Sequence, residues 1–306
     1  MKVCIVGSGS IGKRHIHNIY SLGKEKKETV IIDLLRSSKS ELPQDILDII
    51  NKQYYDISEL PPKYDAIIIA NPTSLHYTTI KQIFDYSDNF FVEKPVFDKT
   101  DFDFSDIEIS GKKIYVACPL RYTKVLLEAK KVIENCQTFS VRAISSSYLP
   151  DWRPGTDYRK TYSAHKNMGG GVLIDLIHEW DYLSYFFGFP EQIEKLYGKY
   201  SNLEIDSEDL AIYIARYNDK LLELHLDYCG RETQRYCEII TSDSTYRFDI
   251  TNSRVIKNGI EIAKYNEQPN DKYMEEMKFF YDIINGIKEN TNDINHAVNV
   301  MKIALA

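Results

Sequence analysis

The chain has 306 residues, enough for two domains that each bury a core, and its 43% hydrophobic and 27% charged residues exclude a disordered or fibrous class. A net charge of −7 argues against nucleic acid as the main partner, because phosphate binding needs a basic face. No apolar run is long enough to span a membrane, no basic-then-apolar leader precedes the first strand, and the five scattered cysteines contain no C-x-x-C pair, so the expectation is a cytoplasmic protein with reduced thiols and neither disulfides nor a metal.

Taken in order, Lys2–Val6 is a short apolar strand, Gly7-Ser8-Gly9-Ser10-Ile11-Gly12 is a glycine-spaced turn, and a helix follows. The spacing has a physical reason. Gly7 permits the sharp turn, Gly9 lets backbone close on a pyrophosphate, and Gly12 lets helix pack on strand. The N–H groups at the helix start, around Ser10, Ile11 and Gly12, then face the phosphates, which predicts a dinucleotide site. Along the helix Ile16, Ile19, Tyr20 and Leu22 point inward, His15 and His17 read as surface or boundary residues, and Gly23 ends it.

The second strand, 29–35, bears on the choice between NAD and NADP. Asp33 stands at about the distance of an acid that binds the ribose 2′-OH. The apolar run continues through Leu34 and Leu35, however, which places Arg36-Ser37-Ser38 at the strand tip, and a cation followed by two hydroxyls suits a 2′-phosphate. Both registers stay open, with a lean to NADP. After a weak stretch at 41–64, the unbroken run at 65–70 reads as a parallel strand buried on both faces. Asn71-Pro72-Thr73-Ser74 breaks it, and Thr73 or Ser74 can cap the helix that follows, with His76 in its first turns. Phe90-Phe91-Val92 runs into Glu93-Lys94-Pro95, and a strand at 114–118 ends in Pro119-Leu120-Arg121-Tyr122. Alternating strands and helices predict a doubly wound parallel sheet over residues 1–120, with ligands beyond the strand C-termini.

From 121 to 306 the pattern changes to α+β with a largely antiparallel open sheet. A helix (Lys124–Asn135) leads to a strand (Thr138–Tyr148), then a long loop at 149–168; Gly169-Gly170-Gly171 starts a helix running to about Phe187. Successive strands fill 191–265, and helices at 271–285 and 293–305 close the chain.

Lys94 is the first catalytic candidate. An alcohol is a poor acid, so hydride removal needs a neighbour to take its proton, and a lysine beside a positively charged nicotinamide has its own charged form disfavoured. The second constellation is Asp175, His178 and Asp181, three residues apart and on one face of a single helix; Asp175 can orient the imidazole, and His178 can pass a proton or bind a substrate hydroxyl. The triple glycine before them permits close approach of backbone to a ligand. The loop with Trp152, Arg153, Tyr158 and Arg159 interleaves aromatics and cations, which points to an anionic substrate such as a sugar acid or nucleotide sugar.

Together these residues resemble the Gfo/Idh/MocA family of NAD(P)-dependent sugar oxidoreductases. The resemblance rests on the glycine turn, Asn71-Pro72-Thr73 with His76, Glu93-Lys94-Pro95, Arg121-Tyr122, and the triple glycine followed by Asp175 and His178. It implies a Rossmann domain and an α/β domain whose open sheet mediates oligomer contacts, in a homodimer or homotetramer. It also implies a catalytic Lys94 assisted by Asp175 and His178, with Asn71, Pro72, Thr73, His76, Glu93 and Arg121 serving the cofactor. The usual family pattern places the His four residues after the Asp; here the interval is three. The expected activity is hydride transfer between NAD(P) and a secondary hydroxyl of a sugar or sugar derivative. Two alternatives remain: a glycosidase- or lyase-type enzyme that recycles its cofactor, and a non-catalytic nucleotide-sensing protein on the same fold.

Overall fold

A computed structural model describes residues 1–103 and 111–305. The first group of apolar runs forms β1 (Lys2–Val6), β2 (Ile31–Leu35), β3 (Lys52–Tyr54), β4 (Ala66–Ile69), β5 (Asn89–Val92) and β6 (Lys113–Val116). They make one parallel sheet in the order β3-β2-β1-β4-β5-β6. All of β4 is buried, as are Phe90, Phe91 and Val92, so these strands read as continuous apolar runs. Each such side chain withdrawn from water contributes about 1.5–3 kcal/mol. Because the strands run the same way, the residues after Val6, Leu35, Ile69 and Val92 emerge along one edge of the sheet.

The α-helices are α1 (Ser10–Lys26), α2 (Gln44–Leu47), α3 (His76–Ile83), α4 (Lys124–Asn135), α5 (Val172–Asp175), α6 (His178–Phe187), α7 (Asp271–Ile284) and α8 (Ile294–Leu305). Helix α1 runs past Gly23 and stops at Lys27, which takes a left-handed conformation (φ 57°). Its inward face holds Ile16, Ile19 and Leu22 as expected, but also His15, which is 0% exposed rather than at the surface. His17 is partly exposed and lies 3.0 Å from Asp45.

The chain divides into two compact units, Met1–Ala117 with Tyr273–Asn299, and Cys118–Lys272 with Val300–Ala306. In the first, α7 seats Phe280 against Phe91, with ring centroids 5.4 Å apart. Lys113 donates to the Ile283 carbonyl at 2.7 Å, a cation at the helix C-terminus where the dipole favours it. Edge strand β6 is covered by Asn292, whose carbonyl accepts from the Val116 N–H and whose side chain donates to the Val116 carbonyl.

The second unit carries β7 (Thr138–Tyr148), β8 (Gln192–Gly198), β9 (Leu210–Arg216), β10 (Leu221–Asp227), β11 (Cys229–Thr241), β12 (Thr245–Asp249), β13 (Arg254–Lys257) and β14 (Ile260–Lys264). They form one sheet in the order β14-β13-β12-β11-β7-β10-β9-β8, antiparallel throughout except between β7 and β10. Burial alternates along β9: Ala211, Tyr213 and Ala215 face inward, whereas Ile212 and Ile214 are exposed. Helix α5 packs on β9 and β10, α4 on β12 and β13, and Trp180 of α6 meets Tyr213 edge-on at 5.3 Å. The opposite face carries exposed Leu196, Ile212, Ile214, Leu221 and Ile240 beside a ladder of charges. In it Arg142 bonds Glu223 and Glu238, and Arg247 bonds Glu238.

Candidate active site

Gly7 turns the chain out of β1 at φ +103°, where a Cβ would lie 2.6 Å from the Ala70 carbonyl. A Cβ on Gly12 would lie 2.2 Å from the Gly7 carbonyl, so the helix is seated directly on the turn. Gly9, the N-cap of α1, is different: nothing lies within 4 Å of where its Cβ would be. No side chain caps α1 and no acid stands in its first turn, so its leading N–H groups are left to a ligand or water. An open, positively polarised cradle over a glycine fits a pyrophosphate.

At the tip of β2 the two registers separate. Asp33 is 1% exposed and accepts from Tyr64 Oη at 2.9 Å and Asn51 Nδ2 at 2.8 Å, well inside the strand. Arg36 follows the strand, only 7% exposed; its N–H bonds the Tyr54 carbonyl and its Nη2 donates to the Ser40 carbonyl at 2.7 Å. Its Nε and Nη1 are buried without a hydrogen-bond partner among the described residues. Ser37 and Ser38 beside it are exposed, and Ser38 Oγ reaches Ser40 Oγ at 3.0 Å.

After β4, Asn71 donates to Thr79 Oγ1 at 2.8 Å, and its Oδ1 is buried without a hydrogen-bond partner among the described residues. His76, expected on the cofactor, is 1% exposed. One ring nitrogen faces the Asn71 carbonyl (3.0 Å), the other the carbonyls of Pro95 (3.2 Å) and Val96 (3.1 Å). It therefore ties the segment after β4 to the segment after β5. Burial holds its pKa below the ordinary 6.5, against the opposing pull of those carbonyls.

After β5 stand Glu93, Lys94 and Pro95, with the Lys94–Pro95 bond cis. Burial opposes ionisation of Glu93, but the bond from His15 and the charge of Lys94 outweigh it and hold its carboxyl below the ordinary value.

In the second unit the expected single helix is two. Leu176 leaves the helical region (φ −96°, ψ 23°), so α5 ends at Asp175 and α6 begins at His178. Asp175 is buried, and its oxygens accept from two tyrosines that the sequence did not single out, Tyr162 and Tyr228, the latter at 2.7 Å. Burial, reinforced by the Asp175 charge, pushes both phenols up, so they remain donors. His178 is half-buried. Asp181 is taken by Arg121, whose Nε and Nη2 donate to its two oxygens at 2.8 and 2.7 Å over the Tyr185 ring. Arg121, assigned to the cofactor by resemblance, is thus fixed to α6.

Two of the three glycines serve packing within the unit. A Cβ on Gly170 would meet the Tyr162 carbonyl at 2.2 Å, and one on Gly171 would meet the Glu208 carboxyl at 2.0 Å, whereas Gly169 has open space. In the preceding loop Trp152 donates to Ser147 Oγ at 2.8 Å and sets its ring edge-on to Tyr228. Tyr158 Oη accepts from the Glu204 N–H. Arg159 is paired with Asp157 and Glu204, which cancels the charge expected to attract an anion. Arg153 lies 5.5 Å from the Tyr162 ring and, like Lys160 and Lys166, has no ion pair among the described residues, so the loop keeps unpaired cations.

Two family profiles match the chain: an oxidoreductase-family NAD-binding Rossmann fold over residues 1–103, and the C-terminal alpha/beta domain of the same family over residues 131–306. The uncharacterized oxidoreductase YrbE of Bacillus subtilis is 26% identical over 199 residues, 64% of this chain and 55% of that protein; the match thus spans about half its length. Among solved structures, the WlbA dehydrogenase of Bordetella pertussis, in complex with NADH and UDP-GlcNAcA, has a TM-score of 0.80 at 17% identity, covering 100% of this chain and 94% of that one. The UDP-N-acetylglucosamine 3-dehydrogenase GnnA of Acidithiobacillus ferrooxidans has a TM-score of 0.76 at 15% identity, covering 100% and 95%. At such identities these structures speak for the fold.

Proposed function

We propose that this chain, which belongs to the Gfo/Idh/MocA oxidoreductase family, moves a hydride between NAD(P) and a secondary hydroxyl of a sugar or sugar derivative. The observation that carries this is the row of strand tips in the first unit. Along one sheet edge stand the open glycine turn, Arg36 with two spare donors, Asn71 with a spare acceptor, and Lys94.

The N–H groups of Ser10, Ile11 and Gly12, over Gly7 and Gly9, would hold the pyrophosphate, with Asn71, Pro72 and Thr73 beside them. Arg36, Ser37 and Ser38 would take a 2′-phosphate, and the burial of Asp33 removes the competing acid, which favours NADP. Bound, the dinucleotide supplies the hydride acceptor or donor. Lys94 Nζ takes the hydroxyl proton as the alcohol carbon is oxidised, and returns it in the reverse direction. His76, Glu93 and Arg121 act through the groups they hold. His178 binds a substrate hydroxyl, Asp175 fixes Tyr162, and Trp152, Arg153 and Tyr158 shape recognition of an anionic or nucleotide-linked sugar, a reading supported by the UDP-GlcNAcA complex of one structural relative and the UDP-N-acetylglucosamine 3-dehydrogenase name of the other. Arg159, already paired, is the weakest of these assignments.

The exposed apolar residues of the open sheet favour a homo-oligomer built on that face. Among the described residues no helix is long and apolar enough to cross a membrane.

The deciding experiment is a panel of sugar acids and nucleotide sugars followed by nicotinamide absorbance, with Lys94→Ala alongside. The expected result is turnover with one class and a fall in kcat of about 10²–10⁴ in the variant, with dinucleotide affinity kept. Release of a leaving group without net absorbance change would instead support cofactor recycling.

A further inference from the structure

The tip of β5 is held from inside the first unit by a histidine that the sequence alone placed at the surface or boundary. His15 sits on α1 one turn beyond Gly12, 0% exposed, with its ring edge-on to Phe91 at 4.9 Å. A buried imidazole is costly unless it is hydrogen-bonded, and an apolar side chain would fill the space more cheaply. Only one of its nitrogens has a partner: Nε2 donates to Glu93 Oε1 at 2.6 Å, while Nδ1 has none among the described residues. The ring is therefore kept for a single bond.

Glu93 divides its oxygens. Oε1 takes the His15 bond, and Oε2 accepts from the backbone N–H of Lys94 at 3.2 Å. The backbone of Glu93 is itself tied to the Ile69 carbonyl at 2.9 Å. With main chain and one oxygen both fixed, the second oxygen has one place to be, and the Lys94 N–H is held against it. On the far side His76 faces the carbonyls of Pro95 and Val96.

We propose that His15 is a positioning residue for Lys94, acting through Glu93, so that the helix presenting the glycine turn also sets the direction in which the Lys94 side chain leaves the sheet. The catalytic meaning rests on the role given to Lys94 above; the positioning itself does not.

The test compares His15→Gln, whose Nε2 can donate from nearly the same place, with His15→Leu, which fills the space and cannot donate. Two readouts need no substrate: hydrogen exchange of the Lys94 amide, and the acetylation rate of Lys94 by trace acetic anhydride, referenced to exposed Lys131. In His15→Leu the amide exchanges faster by about tenfold and the relative acetylation rate changes by about threefold or more, while His15→Gln resembles wild type in both. NADP(H) affinity, read by fluorescence titration, stays unchanged in both variants.

Wild-type values for Lys94 in His15→Leu would overturn the proposal. So would equal disturbance by Gln and Leu, since bulk rather than the donor would then be at work. If His15→Leu does not fold, His15→Met, which also fills the space without a donor, is read the same way, and an undisturbed Lys94 amide there is equally decisive against it. A wild-type protein that binds no dinucleotide would sink the oxidoreductase reading and leave these Lys94 measurements to stand by themselves.

Discussion

Arg36 and Asp33 lie three residues apart and have opposite fates, which the strand period decides. Asp33 sits mid-strand, where Tyr64 and Asn51 hold its carboxylate inside the sheet. Arg36 is the first residue beyond the strand, with Nε and Nη1 unspent. Replacing Arg36 by Ala should raise KM for NADP about 10- to 100-fold and leave KM for NAD nearly unchanged, the loss of one or two charge-assisted bonds. Asp33→Ala should lower Tm, from about 1–3 kcal/mol of orphaned partners, without altering the NADP to NAD ratio. Steady-state kinetics with both cofactors and a melt of each variant check the pair. The sequence left both registers open because an acid and a cation both stood near the right distance, and the hydrogen-bonding partners that hold Asp33 inside the sheet lie 18 and 31 residues away. His15 was misread for a related reason: its partner Glu93 lies 78 residues on. His76 gives a pH prediction. Its folded pKa is depressed below 6.5, so as pH falls through that value the unfolded chain gains a proton that the buried ring refuses, and stability declines. Tm should therefore fall between pH 7 and about pH 5, and His76→Asn, less stable at pH 7, should show a flatter slope over that interval.

At the scale of elements, the tips of β1, β2, β4, β5 and β6 and the β-rich character of the second unit were legible, because unbroken apolar runs and alternating runs mean different burial, whereas β3 lay in a stretch with too weak a pattern to place it. The helix after the triple glycine was not. Asp175, His178 and Asp181 have helical spacing, but Leu176 interrupts it and each aspartate is claimed by a group distant in sequence, Tyr228 or Arg121. The glycine turn permits a sharp test of which glycine serves fold and which serves ligand. Gly12→Ala drives a Cβ into the Gly7 carbonyl, a backbone atom that cannot step aside, and should destabilise the protein by several kcal/mol. Gly9→Ala meets nothing in the protein, so Tm should hold while dinucleotide affinity falls at least about tenfold, since the methyl occupies the cradle itself. Paired melts and fluorescence titrations separate the two. A Gly9→Ala variant that binds NADP(H) normally would place the pyrophosphate elsewhere.

Over the whole molecule, residues 273–299 return to the first unit before the last residues, from Val300, rejoin the second, with Phe280 set against Phe91 and Asn292 covering β6. No local pattern announces such a return, because an amphipathic helix shows that it has an apolar face but not which sheet receives it. The open face of the eight-stranded sheet poses the corresponding question outward. Its exposed Leu221 and Ile240 flank the Glu223–Arg142–Glu238–Arg247 ladder on one side and Leu196 and Ile212 on the other, with Ile214 at the ladder's end. A face of this composition suits a two-fold contact with a second copy: apolar rows supply the attraction, and alternating charges fix the register and exclude slipped pairings. Ile212→Glu with Ile214→Lys should therefore convert the oligomer to a smaller species while the monomer stays folded, since both side chains already point away from the core. Sedimentation velocity gives the mass, and far-ultraviolet circular dichroism checks the fold. Because association stabilises by mass action, wild-type Tm should also rise with protein concentration and the double variant's should not. A wild-type protein that sediments as a monomer at every concentration would remove this face from the account, and the strand-tip chemistry of the first unit would be unaffected.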